Sequence, residues 1–188
     1  MQITPKTNLE EFSLPLPIYR TIHIADAVGK NNDEFSLLIG LDKNLVSQLK
    51  KYSLDLSDIE IQTFTSDKIR FGEGIYEDWY KKNRAPFALV QKNTNILAAL
   101  IWFGPKSFEQ NGNWHTVAWR AYNPFRGKRL MKEFIKFTMD FYVKKIPNIK
   151  FWASIKIENT GSIKLAGMLG FQEVKEKSNN ISCVMVKN

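Results

Sequence analysis

The chain has 188 residues, of which 44% are hydrophobic and 24% charged, with 27 Lys and Arg against 19 Asp and Glu. This composition excludes a disordered chain, and 188 residues are enough to bury a core without disulfide staples. The single Cys183 excludes an intrachain disulfide. One cysteine and two histidines are also too few for a Cys/His zinc site, so we expect no metal.

Two further classes of protein are disfavoured. The N-terminus has no apolar run typical of a signal peptide, and the longest apolar stretch, Ile96 to Phe103, is far shorter than the roughly 20 residues of a membrane helix. We therefore expect a soluble cytoplasmic protein without a membrane partner. The net charge of +8 is concentrated in residues 126–150, which carry 8 basic and 2 acidic side chains. This local excess indicates one anionic ligand or a solvated helix face rather than a nucleic-acid coat.

The first half of the chain predicts two strands and several short helices. Residues 1–16 contain Pro5 and Pro15 and are followed by Pro17, and we expect them to form a poorly structured lead-in. Alternating apolar residues predict strands at Ile18–Ile24 and Phe35–Leu41. Helical spacing predicts helices at Lys43–Tyr52, near Asp58 and at Gly74–Lys82.

The second half has clearer patterns. The predicted strands are Pro86–Lys92, Ile96–Phe103, Trp114–Ala121, Phe151–Ile157, Gln172–Lys177 and Ile181–Lys187. The predicted helices are Arg126–Lys145 and Thr160–Leu169. Gly170 stands where a left-handed helix cap belongs, with Phe171 as its hydrophobic contact. The order of elements predicts a mixed α/β or α+β sheet.

Two segments could bind a ligand. Residues 123–129 form a loop that opens the long helix, and the free N–H groups of a helix start attract anions, phosphate above all. The alternative is a surface turn with a charged first helical turn. Residues 158–171 form a capped amphipathic helix that ends in Gly-Phe, and by themselves they could be purely structural.

Together, these segments resemble the GNAT superfamily of acyl-CoA-dependent N-acyltransferases. That family has an [QR]-x-x-G-x-[GA] loop between a strand and a long helix, and later a strand followed by N-x-x-[AS]-x-x-L-Y-x-x-x-G-F. The chain matches the second pattern at Asn159, Ser162, Leu165, Gly170 and Phe171. Arg126, Gly127 and Lys128 fit the start of the loop. The resemblance covers roughly residues 60–188.

The resemblance implies the GNAT fold, a central mixed and mostly antiparallel sheet flanked by helices, in one domain over residues 1–188. Within it, 1–60 would be an N-terminal part and 61–188 the acyltransferase core. It also implies acetyl-CoA as the acyl donor and leaves room for a homodimer. The residues implied to bind the donor are Trp119, Arg120, Ala121, Arg126, Gly127, Lys128, Arg129, Leu130, Met131, Asn159 and Ser162.

The chain departs from the family at positions that matter for binding. Two loop positions that are normally small are Arg129 and Met131, whose side chains must point away from a bound pyrophosphate. Asn159 could bind the pantetheine arm or only cap its helix. Trp119 could line the cofactor site or be a core aromatic.

Catalysis of amine attack on a thioester profits from a base and an acid. The family's frequent acid, a tyrosine after the conserved Leu, is replaced by Ala166. The position that holds a glutamate base in some members is His115, whose imidazole could serve because its ordinary pKa is near neutrality. The alternative is a core histidine with satisfied hydrogen bonds. We expect Cys183 to be a buried strand residue rather than a nucleophile.

The acceptor is an unknown amine. The aromatic residues that could line its site are Phe71, Tyr76, Trp79, Tyr80 and Trp102. The acidic residues that would suit an amine are Glu73, Glu77 and Asp78, although a solvated acidic face is an equal alternative.

Three hypotheses follow. The first is an N-acetyltransferase that uses acetyl-CoA and direct attack by an amine. The second is a weakly catalytic or inactive protein of this fold that binds CoA or another anionic ligand. The third is nucleic-acid binding through Lys128, Arg129, Lys132 and Lys136, which ranks last because no nucleic-acid motif accompanies them.

Overall fold

The structure, a computed structural model, describes residues 1–188. The strands are β1 (Gln2–Pro5), β2 (Ile22–Val28), β3 (Glu34–Ile39), β4 (Ala85–Gln91), β5 (Ile96–Pro105), β6 (Trp114–Ala121), β7 (Lys150–Lys156), β8 (Gln172–Glu173) and β9 (Ser182–Lys187). The helices are α1 (Lys43–Leu54), α2 (Ile59–Phe64), α3 (Tyr76–Tyr80), α4 (Met131–Lys145) and α5 (Thr160–Met168). A π-helical turn covers Lys68–Glu73, and a 3-10 turn covers Lys175–Lys177.

All nine strands belong to one sheet in the order β1-β2-β3-β4-β5-β6-β7-β9-β8. Neighbouring strands are antiparallel except β6 and β7, which are parallel because α4 carries the chain back across the sheet between them. The predicted fold class, a mixed and mostly antiparallel sheet flanked by helices, is confirmed.

The two faces of the sheet bury separate cores. One face packs against α4 through side chains such as Phe134, Ile135 and Met139, in a cluster of 32 buried residues. The other face packs against α1 and α3 in a cluster of 14 residues that includes Leu45 and Leu49. None of the helices combines the length and the apolar character that crossing a membrane requires.

Short polar side chains cap the N-termini of three helices. Asp42, Asp58 and Asn159 each accept a hydrogen bond from a backbone N–H in the first turn of α1, α2 and α5 respectively. At the other end of α5, Gly170 has a φ of +85°, as the predicted left-handed cap requires.

The N-terminal predictions were partly wrong. Within the lead-in predicted to be poorly structured, residues 2–5 pair as an edge strand with β2. The strand predicted at Ile18–Ile24 begins at Ile22 and continues to Val28. The shift arises because Tyr19 adopts a φ of +64° and the Arg20 N–H bonds back to the Pro17 carbonyl, which makes a turn where the alternation predicted a strand.

Three other boundaries also differ. The long helix begins at Met131 rather than Arg126, because Gly127 and Arg129 have positive φ values that no α-helix accommodates. The helix predicted at Gly74–Lys82 is shortened to Tyr76–Tyr80. The strand predicted at Gln172–Lys177 covers only Gln172–Glu173 before a 3-10 turn.

We expect Gly40→Ala to lower the free energy of unfolding by about 2 kcal/mol or more. Gly40 links β3 to α1 with a φ of +80°, and an added Cβ would lie 2.0 Å from the Arg20 carbonyl oxygen. The matched control is Gly167→Ala within α5, where a Cβ meets nothing within 4 Å. There we expect a gain of about 0.5–1 kcal/mol. Urea unfolding measures both, and equal effects would contradict the close approach at Gly40.

Candidate functional site

A gap opens between the two parallel strands near the middle of the sheet. The pairing of β6 with β7 covers only Trp114–Thr116 against Lys150–Trp152. Beyond this point β6 stays paired with β5 to Ala121, and β7 stays paired with β9 to Lys156. The strands therefore diverge, and each presents an unpaired edge to the space between them.

Two N–H groups of β6 point into this gap. The Tyr122 N–H donates to the Ala98 carbonyl on the β5 side, and peptide groups alternate along a strand. The groups of Trp119 and Ala121 therefore face β7, where no strand pairs with them. Buried peptide groups need partners, so this edge is suited to an extended ligand that hydrogen-bonds like a strand.

Two arginine side chains donate hydrogen bonds to carbonyl groups of this edge. The Trp119 carbonyl accepts from Arg120 Nη1 at 2.7 Å, and the Ala121 carbonyl accepts from Arg126 Nη2 at 3.0 Å. The N–H groups of Trp119 and Ala121 therefore remain as the free hydrogen-bond donors of the edge. A ligand that offers carbonyl acceptors matches this arrangement.

A second set of free donors lies at the start of α4. The N–H groups of Gly127 and of residues 129–133 donate to no acceptor in the protein, whereas the Phe134 N–H begins the helical hydrogen-bond series with the Leu130 carbonyl. The positive φ values of Gly127 (+79°) and Arg129 (+59°) turn the backbone through this loop. Such a cluster of N–H groups at a helix start is an anion site, favoured further by the helix dipole.

One cavity of about 560 Å³ connects these features. The strand β6 lines its floor from Thr116 to Ala121, Met131 lies at the α4 end, and Asn159 and Ser162 lie on the α5 wall. The residues that line the rest include Glu60, Ile61, Phe64, Thr65, Ser66, Arg70, Trp79, Lys82, Arg84, Trp102, Lys106, Arg126, Trp152, Ser154, Ile155, Lys156, Gly161 and Leu165.

The structure brings some of the implied donor-binding residues to this cavity and separates others from it. Trp119, Arg120, Ala121, Arg126, Met131, Asn159 and Ser162 line it. Gly127, Lys128, Arg129 and Leu130 do not line it and form the turn before α4. Asn159 also caps α5 by accepting from the Ser162 N–H at 3.0 Å. Trp119 is buried beside Phe171, so its side chain fills the core while its backbone faces the gap.

The basic side chains of the loop are mostly engaged within the protein. Arg126 forms a bidentate pair with Asp58 at 3.0 and 2.8 Å, and Lys128 lies 3.3 Å from Asp33. Leu130 is a core residue, and Arg129 is exposed without an acidic partner. Of the four cations in the segment 126–132, Arg129 and Lys132 therefore have no acidic partner, and they accompany the free backbone donors of the loop.

His115 lies on the opposite face of β6 from the cavity. Its Nδ1 is 2.8 Å from the hydroxyl of Tyr142 on α4, and the imidazole is buried. Burial, and then the charge of Arg84, lower its pKa below the ordinary 6.5. The structure does not bring this residue to the cavity, and its role as a base stays a prediction.

Of the aromatic residues proposed for the acceptor site, Trp79 and Trp102 line the cavity. Phe71, Tyr76 and Tyr80 are buried in the core beneath it. The acidic side chains proposed for an amine do not line it. Glu77 instead accepts a hydrogen bond from Tyr19, Asp78 pairs with Lys81, and Glu73 with Lys68.

Asp67 and Arg84 contribute to the cavity, although the sequence patterns did not indicate either residue. Asp67 is fully buried and pairs with Arg120 at 2.6 and 3.0 Å and with Arg70 at 2.9 Å. Arg84 also lines the cavity, and burial, followed by the charge of Arg70, lowers its pKa. No local pattern marks Asp67 as a site residue, because its partner Arg120 lies 53 residues away in the chain.

The family comparison agrees with the sequence motifs. Residues 46–172 match the model of an acetyltransferase (GNAT) domain. No curated protein matches this sequence.

Solved structures of several acetyltransferases share the fold at low sequence identity. The GNAT domain of S. lividans PAT has a TM-score of 0.66 at 11% identity over 86% of this chain and 94% of that one. A ribosomal-protein-S5-alanine acetyltransferase from Vibrio fischeri has a TM-score of 0.56 at 17% identity, over 80% and 92% of the two chains. A spermidine N-acetyltransferase from Vibrio cholerae, in complex with CoA and spermine, has 0.60 at 15%, over 80% and 92%.

We expect Asp67→Asn to lower the free energy of unfolding by about 3–5 kcal/mol, because it leaves two guanidinium groups facing each other in a buried site. The matched control is Asp78→Asn, which removes an exposed pair with Lys81 at 3.4 Å. We expect that change to cost less than about 1 kcal/mol. Urea unfolding measures both, and a similar small loss in both variants would show that Asp67 does not hold the arginine pair.

Proposed function

Because the chain belongs to the GNAT acetyltransferase family, we propose that it transfers an acetyl group from acetyl-CoA to an amine. The observation that carries this proposal is the gap between β6 and β7, since its cavity joins an unpaired strand edge to the free N–H groups at the start of α4.

The donor substrate fits these two sets of N–H groups. The pyrophosphate of acetyl-CoA would accept hydrogen bonds from Gly127 and from residues 129–133. The amide carbonyls of its pantetheine arm would accept from Trp119 and Ala121, with Asn159 and Ser162 on the opposite wall. The CoA bound to the Vibrio cholerae spermidine N-acetyltransferase, a protein of the same fold, supports this assignment.

The transfer step needs a neutral amine. Its nitrogen lone pair forms a bond to the thioester carbonyl carbon, the carbon–sulfur bond breaks, and the electron pair leaves with sulfur as a thiolate that then takes up a proton. No His, Cys, Tyr or Asp side chain lines the cavity. The sole carboxylate there, Glu60, is 3.3 Å from Arg126. We therefore assign loss of the ammonium proton to water.

A second function is a CoA-binding protein with little catalysis. It is favoured because the position of the family's tyrosine acid holds the fully buried Ala166, and no tyrosine lines the cavity to replace that acid. Turnover separates the two functions, since both require the donor to bind.

We expect acetyl-CoA to bind and Arg129→Glu to weaken its binding by about tenfold, because a carboxylate would lie beside the bound phosphates. The matched control is Lys136→Glu, which makes the same change of charge further along α4, and for it we expect less than about a twofold effect. Isothermal titration calorimetry at low salt measures both. If acetyl-CoA does not bind the unaltered protein, the proposed function is wrong, and equal effects of the two variants would contradict the assigned anion site.

We expect kcat/KM to rise with pH until the pKa of the acceptor amine itself, because no His or Cys side chain lines the cavity to act as a base. Two acceptors with different amine pKa values should therefore give midpoints that differ by the same amount. The alternative outcome is one midpoint below pH 6.5 for both acceptors, and it would assign the proton to a base such as His115.

A further inference from the structure

We propose that the end of the cavity beside the start of β6 binds an anionic group of the acceptor, so that the protein acetylates amines that carry a carboxylate or a phosphate. This inference rests on the proposed function, in which the same cavity holds acetyl-CoA and the amine. We call this end the cationic end, and it is formed by Arg70, Lys82, Arg84 and Lys106 together with Trp79 and Trp102.

The charges at the cationic end are not balanced within the protein. Lys82, Arg84 and Lys106 have no carboxylate within 4 Å, and Arg70 shares the single Asp67 with Arg120. In the whole lining of the cavity, the one acidic residue is Glu60 of α2, and it is paired with Arg126. A cavity with this excess of positive charge attracts anions and repels cationic acceptors such as polyamines.

Arg84 is the best-placed of these cations. Its Nε is buried and has no hydrogen-bond partner, and its Nη1 is 3.5 Å from the Pro105 carbonyl oxygen. A half-buried guanidinium with a free buried donor is costly unless an anion joins it. Gly104 provides the space for this side chain, because a Cβ there would lie 2.7 Å from Nη1 and 2.8 Å from Cδ of Arg84.

Aromatic walls accompany the charges. The guanidinium groups of Arg70 and Arg120 lie 5.5 and 4.9 Å from the ring centroid of Trp102. Trp79 packs edge-on to Trp102 with ring centroids 5.7 Å apart. These rings offer apolar contact to the carbon skeleton of the acceptor and hold the cations in place.

The phosphates of CoA do not explain these cations. Arg84 packs on Gly104, which pairs with Thr116 in the first half of β6. The free N–H groups at the start of α4 lie beyond Ala121, and the five residue-to-residue steps from Thr116 to Ala121 span about 17 Å. The two anion sites therefore occupy opposite ends of the cavity, and the reacting thioester would lie between them.

The test compares acceptors that differ only in the anionic group. Initial rates are measured with O-phosphoethanolamine against ethanolamine, with phenylalanine against phenylalaninamide, and with spermidine. We expect the phosphate or the carboxylate to raise kcat/KM by about tenfold or more over its neutral partner. The two pairs also show which anion is preferred. Arg84→Gln and Lys106→Gln should each reduce this preference at least threefold, whereas the control Lys136→Gln should retain it.

A binding measurement accompanies the rates. Protein saturated with CoA is titrated with sodium phosphate and with sodium acetate at constant ionic strength, and its melting temperature is followed. We expect one anion to raise the melting temperature of the unaltered protein and of Lys136→Gln, but not of Arg84→Gln or Lys106→Gln. Lys106→Gln alters an exposed side chain and so keeps the test valid if Arg84→Gln fails to fold.

Three outcomes would overturn the inference while leaving the proposed function intact. They are equal rates for the charged and neutral partners, fastest turnover of spermidine, and no stabilisation of the CoA-saturated protein by either anion. Failure of the proposed function has a different signature, since then either acetyl-CoA would not bind or no acceptor, charged or neutral, would be acetylated.

Discussion

The pairing of β6 with β7 ends after Thr116 and Trp152, and the rest of the site depends on this divergence. Each strand follows its other neighbour, so the gap is maintained by the antiparallel pairs β5–β6 and β7–β9 rather than by any loop. A gap in the middle of a sheet leaves peptide groups that cannot form a ladder. Arg120 and Arg126 hydrogen-bond two of the carbonyls and leave the N–H groups of Trp119 and Ala121 for a ligand.

These two arginines depend on carboxylates from the segment between α1 and β4. Asp58 caps α2 and holds Arg126, while Asp67 holds Arg120 and Arg70 from a fully buried position. The contacts connect the edge of β6 to α2 and to the π-helical turn. Because one carboxylate faces two guanidinium groups at Asp67, the same arrangement that stabilises the cavity also makes it electropositive. The stability of the cavity and its positive charge thus have a common electrostatic origin.

The basic segment 126–150 acts differently from what its charge alone suggests. Its first cations pair with Asp58 and Asp33, and the backbone from Gly127 onward supplies the free donors. Arg129 adopts the left-handed conformation at a position where the family has a small residue, at a cost of about 1–2 kcal/mol. Its side chain is exposed, so it leaves the anion site open and adds a charge to it.

Local patterns in the sequence were sufficient for most elements and for the family. The hairpin of β4 and β5, the amphipathic α1 and the capped α5 with Gly170 follow from periodicity and capping, because these depend on neighbouring residues. The start of α4 did not follow, since it depends on positive φ values at Gly127 and Arg129 that a charged helical pattern conceals.

The two motifs predict a donor side of the site that uses mainly backbone groups. The acceptor side required the folded chain. Asp67 meets Arg120 across 53 residues, Arg126 meets Asp58 across 68, and Arg84 lies on Gly104 of the neighbouring strand. Whether such a charge is paired depends on which side chains, distant in the sequence, lie next to it in the fold. The sequence alone therefore determines the fold and the family, whereas three-dimensional packing decides which charges in the cavity are balanced, because the partners of those charges lie far apart in the chain.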